Sequence, residues 1–372
     1  MAKLALLAVL ASLLGAVSGE FSIYAGYGFP PPNPSVPYPL PPACPPLSPA
    51  PGLKVGHYAD KDKCPGAEEI VREVVEKATA GEKAGLIRLF FHDCFVESSW
   101  LTNVVRTLAW FSQGCDGSVL LSGTDTERTA FPNLSLRGFE LIEEAKAKLE
   151  KHCPGIVSCA DIVAFAGRDA SYSLSYGRIN YRVPAGRYDG KVSRANDTFQ
   201  NLPPPFSDLA LTTAMFAAKG LNQNEMVVLS GAHSIGRSAC SSFPDRLPPA
   251  ANSSTAMEPK LAGQLTATCS AGSSVNVPQD AVTPDRLDNQ YYKNVVSRDV
   301  LFNSDASLTT SSQTEDLVEF YAGNLPFLGG KFLGPLAWYH DFEDAMVKMG
   351  YIGVKTSAEG EIRKTCAFIN KS

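Results

Sequence analysis

The sequence predicts a mainly α fold, and three observations carry that prediction. Apolar residues recur at helical spacing in successive stretches: Ile70, Val71, Val74, Val75 and Ala78, then Leu141, Ile142, Ala145 and Leu149, then Ile162, Val163, Phe165 and Ala166. Strand-like alternation is scarce. Asn222, followed three residues later by Glu225, reads as a cap that opens a helix through Met226 to Leu229. The 372 residues are 44% hydrophobic and 19% charged, which is ample for a buried core and excludes wholesale disorder. A formal charge of −5 with no long Lys/Arg run speaks against a nucleic-acid surface.

In chain order, residues 1–19 come first: Lys3, an apolar run from Leu4 to Leu14, then the small residues Ser18 and Gly19. That is the layout of a secretory signal peptide, too short to span a membrane. No later stretch is long and apolar enough for a span, so the expectation is an exported, soluble, monomeric protein in which disulfides are permitted. Residues 20–52 form a proline-rich extension, with 12 prolines between Pro30 and Pro51. Such a composition favours polyproline II and cannot build a core. It reads as a tether, with contact to a cell-wall polymer as the alternative. The globular domain is expected over 53–372.

Within that domain the chemistry concentrates in two places. In AGLIRLFFHDCFV, Arg88 and His92 stand four residues apart, on one face of an otherwise apolar helix. A guanidinium and an imidazole there are costly unless something polar or reactive lies opposite. In MVVLSGAHSIGR, His233 ends an apolar helix beside Gly231 and Gly236. Either histidine alone would read as a satisfied core residue. The joint pattern overturns that reading: RLFFHDCF, GCDGSVLL, LRGFELI, CPGIVSCADI, VPAGRYDG, LSGAHSIGR and MVKMGYIGV occur together and in this order.

These motifs resemble those of the secreted plant haem peroxidases, class III, over roughly Leu53 to Asn370. The resemblance implies a two-lobed helical fold holding a non-covalent haem b between its distal and proximal lobes. It makes His233 the proximal iron ligand and Asp305, in SDASL, the carboxylate that accepts its ring N–H. On the opposite face it makes His92 the acid–base group that takes a proton from hydrogen peroxide and returns it to the departing oxygen. Arg88 is the cation that favours the charge developing there. Phe91 packs over the haem, Asn133 accepts the other His92 N–H, and Glu127 stands behind Asn133. Pro203, in NLPPPF, orients phenolic donors at the haem edge.

The same resemblance implies two calcium sites made of hard oxygen ligands. One comprises Asp93, Val96, Gly114, Asp116 and Ser118, and the other Ser234, Asp280, Thr283, Arg286 (through its carbonyl) and Asp288. Eight of the nine cysteines match four family bridges: Cys64 with Cys153, Cys94 with Cys115, Cys159 with Cys366, and Cys240 with Cys269. Spacing alone would not choose this pairing. Cys44 is left over, free to join another chain or remain a thiol.

The chain departs from the pattern between Val96 and Gly114, where seventeen residues (ESSWLTNVVRTLAWFSQ) replace one. Widening the Cys94 to Cys115 loop costs only ~1 kcal/mol by loop-closure scaling, whereas calcium ligands on either side must meet within ~2.5 Å of one ion. Removing 97–112 restores FVQGCDGS, so the segment is either a genuine insertion or a translated intron, which the mature transcript decides. A second long stretch, LPFLGGKFLGPLA, is expected as a surface loop. Four N-x-Ser/Thr sequons stand at Asn133, Asn196, Asn252 and Asn370, with Asn196 and Asn252 expected in exposed loops and glycosylated.

The implied function is a secreted, extracellular peroxidase that reduces hydrogen peroxide and oxidises small phenolic donors by one-electron steps. That places it in hydrogen peroxide catabolism, the response to oxidative stress and the oxidation of cell-wall or lignin phenols. A haem-binding homologue with turnover impaired by the insertion is the first alternative. A proline-rich wall protein with a purely structural domain is the second.

Overall fold

Caps written in the sequence set where the main helices begin. In the computed structural model, which describes residues 50, 52–96, 114–248, 255–324 and 330–371, twelve helices carry most of the described chain. They are α1 (Ala67–Glu76), α2 (Ala80–Phe95), α3 (Phe139–His152), α4 (Cys159–Leu174), α5 (Ala195–Asn201) and α6 (Leu209–Ala217). Next come α7 (Gln223–Ser230), α8 (Pro259–Cys269), α9 (Gln290–Ser297), α10 (Asn303–Ala306), α11 (Ser312–Ala322) and α12 (Gly330–Met349). Strands among the described residues are limited to two short antiparallel pairs, besides isolated bridges such as Asp189 with Glu361. β1 (Lys54–Val55) runs beside β2 (Pro184–Ala185), with Lys54 opposite Ala185. β3 (Arg237–Ala239) runs beside β4 (Asn276–Pro278), with Ser238 opposite Val277. The mainly α expectation holds. The expected signal peptide, nearly all of the proline-rich extension, Cys44, the inserted segment 97–112 and Asn252 lie outside the described residues.

Helix α2 opens on a capping box: Glu82 N donates to Thr79 Oγ1 at 3.3 Å and Thr79 N donates to Glu82 Oε2 at 2.8 Å. Its apolar face, Leu86, Ile87, Leu89, Phe90, Cys94 and Phe95, is buried and packs mainly on α4. Helix α4 is buried nearly all round and so forms the centre of the core. At Gly167 a Cβ would lie 3.2 Å from Phe90, so a small residue lets the two helices approach closely. This contact fixes the helix that carries Arg88 and His92.

Asn222 and Glu225 form the capping box of α7, with Glu225 N on Asn222 Oδ1 at 2.9 Å and Asn222 N on Glu225 Oε2 at 2.7 Å. Lys348 from α12 adds an ion pair to Glu225 at 2.6 Å. Asn222→Ala is expected to lower stability by about 1 kcal/mol, read from urea unfolding. An unchanged midpoint would mean that the α12 contacts alone hold this end.

Four disulfides join Cys64–Cys153, Cys94–Cys115, Cys159–Cys366 and Cys240–Cys269. Buried polar contacts complete the frame. Asp161 pairs with Arg187 Nη1 at 2.8 Å and accepts from Tyr58 Oη at 2.7 Å, and the Arg363 main-chain N donates to Asp189 Oδ2 at 2.9 Å, with the guanidinium Nε 3.7 Å from the same oxygen.

Two expectations need correction. KFLGPLA, expected in a surface loop, belongs to the first turns of α12, while 325–329 lie outside the described residues. Pro335 removes one i→i−4 bond there, but the helix is held further on by fully buried Trp338, whose Nε1 donates to Val228 O at 3.1 Å. Asn196, expected in a loop, is exposed but sits at the start of α5, where Thr198 Oγ1 donates to Ala195 O at 2.7 Å and secures the first turn.

Candidate active site

One short turn organises two side chains of α2. The 3₁₀ segment Phe131–Asn133 closes with Asn133 N on Ala130 O at 2.9 Å and leads to Leu136 N on Asn133 O at 2.9 Å. This buries Asn133 and directs its Oδ1 to His92 Nδ1 at 2.7 Å. Arg88 Nε donates to His92 Nε2 at 3.1 Å, so Nε2 is the acceptor and Nδ1 carries the proton, a tautomer assigned from the hydrogen-bond network. Burial, with the Arg88 charge adding, holds His92 well below its ordinary pKa of 6.5. The ring is therefore a neutral base at physiological pH.

Arg88 is anchored by the same turn: Nη1 donates to Ser135 Oγ at 2.8 Å and Nη2 to Pro132 O at 3.0 Å. It is exposed in area, yet burial, with the Arg137 charge adding, pulls its pKa down to about 10. Phe91, half-buried, bounds this face and stacks on Phe95 at 4.1 Å.

The second imidazole, His233, is carried by a different element. It lies in the 3₁₀ turn Gly231–Ser234 that follows α7, not on the helix itself. A Cβ at Gly231 would fall 2.7 Å from Trp338 Nε1 and Tyr292 Oη, so glycine lets this turn press against α9 and α12. His233 Nδ1 meets Asp305 Oδ1 at 2.8 Å, and Phe302 packs edge-on against the ring at 5.3 Å. Burial opposes protonation, but the charge and hydrogen bond of Asp305 together raise the His233 pKa despite it. The Arg88 charge works weakly against that rise. About 39% of the His233 side chain is open, and no hydrogen bond to its Nε2 is present among the described residues.

A family model described as Peroxidase matches residues 67–324. The chain is 45% identical over 332 residues to Peroxidase 2 of Zea mays, spanning 86% of this chain and 89% of that one. The chain belongs to the plant class III peroxidase family. It is also 43% identical over 331 residues to Peroxidase 5 of Vitis vinifera and 40% identical over 326 residues to Peroxidase 25 of Arabidopsis thaliana, in each case over 86% of this chain and 92% of the relative. The peroxidase is thus an oxidoreductase that reduces hydrogen peroxide as it oxidises a donor, in a secretory family that implies haem and, typically, two calcium ions. No helix among its described residues is long and apolar enough to cross a membrane.

The residues present fit those groups. An imidazole with Nδ1 tied to a carboxylate and Nε2 open suits the iron of a metal porphyrin. Around Asp93 the peroxidase buries three carboxylates. Asp93 accepts from Gly117 N at 2.9 Å and Val119 N at 3.4 Å, and Asp116 accepts from Ser118 N at 3.0 Å. Burial pushes Asp93, Asp116 and Glu127 above the usual carboxylate range, and mutual repulsion pushes Asp93 and Glu127 further. Asp116 Oδ2 and Glu127 Oε1 are buried without a hydrogen-bond partner among the described residues, and Lys355 Nζ lies 3.4 Å from Asp116 Oδ2. The cluster is short of positive charge, as a divalent cation site should be. Val96 and Gly114 are buried at its edge, on either side of the inserted segment.

The second oxygen cluster is tied together by its own hydrogen bonds. Thr283 Oγ1 donates to Asp280 Oδ2 at 3.0 Å, Asp288 N donates to Ser234 Oγ at 3.3 Å, and Gln290 N donates to Asp288 Oδ1 at 2.9 Å. Arg286, expected to contribute only its carbonyl, also brings its guanidinium to 3.3 Å from Asp288 Oδ2. Pro203 is half-buried just past the end of α5.

The link behind Asn133 runs through the main chain of Glu127. Asn133 Nδ2 donates to the main-chain carbonyl of Glu127 at 2.9 Å, while the Glu127 carboxylate accepts from Ser118 Oγ at 3.2 Å. The reading of the sequence missed Ser135 and Pro132 as anchors of Arg88, and Tyr291, whose Oη donates to Asp305 Oδ1 at 2.8 Å. Only the sequon at Asn133 marked Ser135 at all, and nothing local marked Tyr291.

Proposed function

We propose that this peroxidase is a secreted, extracellular enzyme that oxidises small phenolic donors one electron at a time, with haem b between His92 and His233 and calcium in the clusters around Asp93 and Asp280. The observation that carries the reading is the pair of oppositely prepared imidazoles: His92 neutral with Nδ1 held by Asn133, and His233 open at Nε2 with Nδ1 held by Asp305. When bound, haem b supplies the oxidising equivalents that pass from hydrogen peroxide to the donor. His92 Nε2 accepts a proton from hydrogen peroxide once Arg88 Nε yields its place, and returns that proton to the departing oxygen. Arg88, fixed by Ser135 and Pro132, favours the negative charge that develops as the O–O bond breaks. Asp305 holds the His233 tautomer and strengthens its Nε2 as a donor. Phe91 and Phe95 keep water from this face. Pro203 orients the phenol. The proline-rich extension tethers the enzyme to wall polymer.

An absorbance scan tests the reading. Reconstitution with haem is expected to give a Soret band that shifts rapidly on adding hydrogen peroxide and returns on adding a phenol. A band that peroxide leaves unmoved would mean a haem-binding homologue without turnover, and no band a structural domain.

Chelation of calcium is expected to lower both activity and stability, the latter by about 2 to 4 kcal/mol if each ion is held well above its Kd. Indifference to chelator, together with no calcium by elemental analysis, would refute both ligand sets.

Glycans are expected at Asn196 and Asn252, with Asn133 bare. Asn133 is 1% exposed, and both ends of its amide are spent on His92 and the Glu127 carbonyl. Asn370 is expected to be little used, since its amide is tied to Ile362 O and Lys364 N. Substantial occupancy at Asn133 in active protein, by glycopeptide mass spectrometry, would mean that another group orients His92.

A further inference from the structure

Asp305 accepts twice through a single oxygen. His233 Nδ1 and Tyr291 Oη each lie 2.8 Å from Oδ1. Tyr291 and Asp305 are both 2% exposed, so neither contact is diluted by water. The Tyr291 ring stands edge-on to the His233 ring at 6.3 Å, on the second residue of α9. Burial, with the Asp305 charge adding, keeps the phenol far above its ordinary range, so it donates at every working pH. Tyr292 beside it makes an internal contrast. It is equally buried but donates to the Val227 and Val228 carbonyls, at 3.0 and 3.2 Å.

We propose that Tyr291 is a positioning residue that sets the donor strength of His233, by donating to the same Asp305 oxygen that holds the His233 Nδ1–H. A carboxylate oxygen shared between two donors is a weaker acceptor for each. Tyr291 thus restrains how far the imidazole moves towards imidazolate, and with it how strongly Nε2 donates to a bound metal. The inference rests on the reading of His233 as the iron ligand.

The test is Tyr291→Phe in the haem-loaded protein, which keeps the ring and removes the phenol. The loss of one hydrogen bond to a charged group is expected to favour ferric over ferrous iron by about tenfold, a fall of about 59 mV in a one-electron potential. The iron–histidine stretching band should move to higher frequency. Tyr292→Phe should cost stability and leave both readouts in place. In an Asp305→Asn background, Tyr291→Phe should shift neither further. A parental potential and stretching band in Tyr291→Phe, or an equal shift in Tyr292→Phe, overturns the proposal. Should Tyr291→Phe fail to fold, 3-fluorotyrosine at position 291 provides a stronger donor of nearly the same shape. It should move both readouts the opposite way, and no movement there overturns the proposal as well. Failure of the underlying reading looks different: His233→Ala would keep the parental haem spectrum.

Discussion

His92→Ala is expected to slow the reaction of the haem-loaded peroxidase with hydrogen peroxide by at least ~10² to 10⁴, the usual worth of a general acid–base group, while haem stays bound. The size follows from the preparation of the ring. Asn133 Oδ1 at 2.7 Å holds the Nδ1 proton, and the low pKa leaves the Nε2 lone pair available at neutral pH. Because the pKa is depressed, the base is competent above it and is lost only as pH falls through it. The parental rate should therefore stay flat near pH 6.5 and drop well on the acid side. Arg88 sharpens this, since its charge lowers the His92 pKa and its Nε occupies the reactive nitrogen between turnovers. Stopped-flow mixing with peroxide gives the rate directly. A parental rate in His92→Ala would remove His92 from its role, and a parental rate in Arg88→Leu would do the same for Arg88.

What could be read in advance was local. Arg88 and His92 are one helical turn apart, so periodicity alone put them on one face, and the caps of α2 and α7 lie within four residues of what they cap. Beyond that, the family motifs supplied the pairing of His233 with Asp305 across 72 positions. Unread were the pairings that no motif carries: Ser135 grips Arg88 across 47 positions, and the Tyr291 phenol is one of several buried tyrosines whose partner no local pattern names. The error over KFLGPLA has the opposite origin. Gly334 and Pro335 are local helix breakers, yet tertiary burial of Trp338 and Phe342 overrides them. His233 falls in a 3₁₀ turn because Gly231 must fit under Trp338 and Tyr292, a constraint set by two other helices.

His233→Ala should abolish normal haem retention. Asp305 fixes Nδ1 and leaves Nε2 open, while Phe302 and Tyr291 stand edge-on to the ring at 5.3 and 6.3 Å and the turn after α7 fixes the backbone. Alanine removes the ligand and leaves Asp305 Oδ1 with Tyr291 as its side-chain donor. Loss of a mere outer partner costs a metal site about 10- to 100-fold in affinity, so loss of the ligand itself should exceed ~10². Haem titration of the apoprotein, followed by its Soret band and electron paramagnetic resonance, measures this. Added imidazole should restore a histidine-like spectrum, because the space vacated is bounded by the same aromatic rings and the Asp305 oxygen is still there to hold its N–H. If His233→Ala instead bound haem with parental affinity and spectrum, the ligand would be another group, and the Asp305–Tyr291 pair would have no metal to tune.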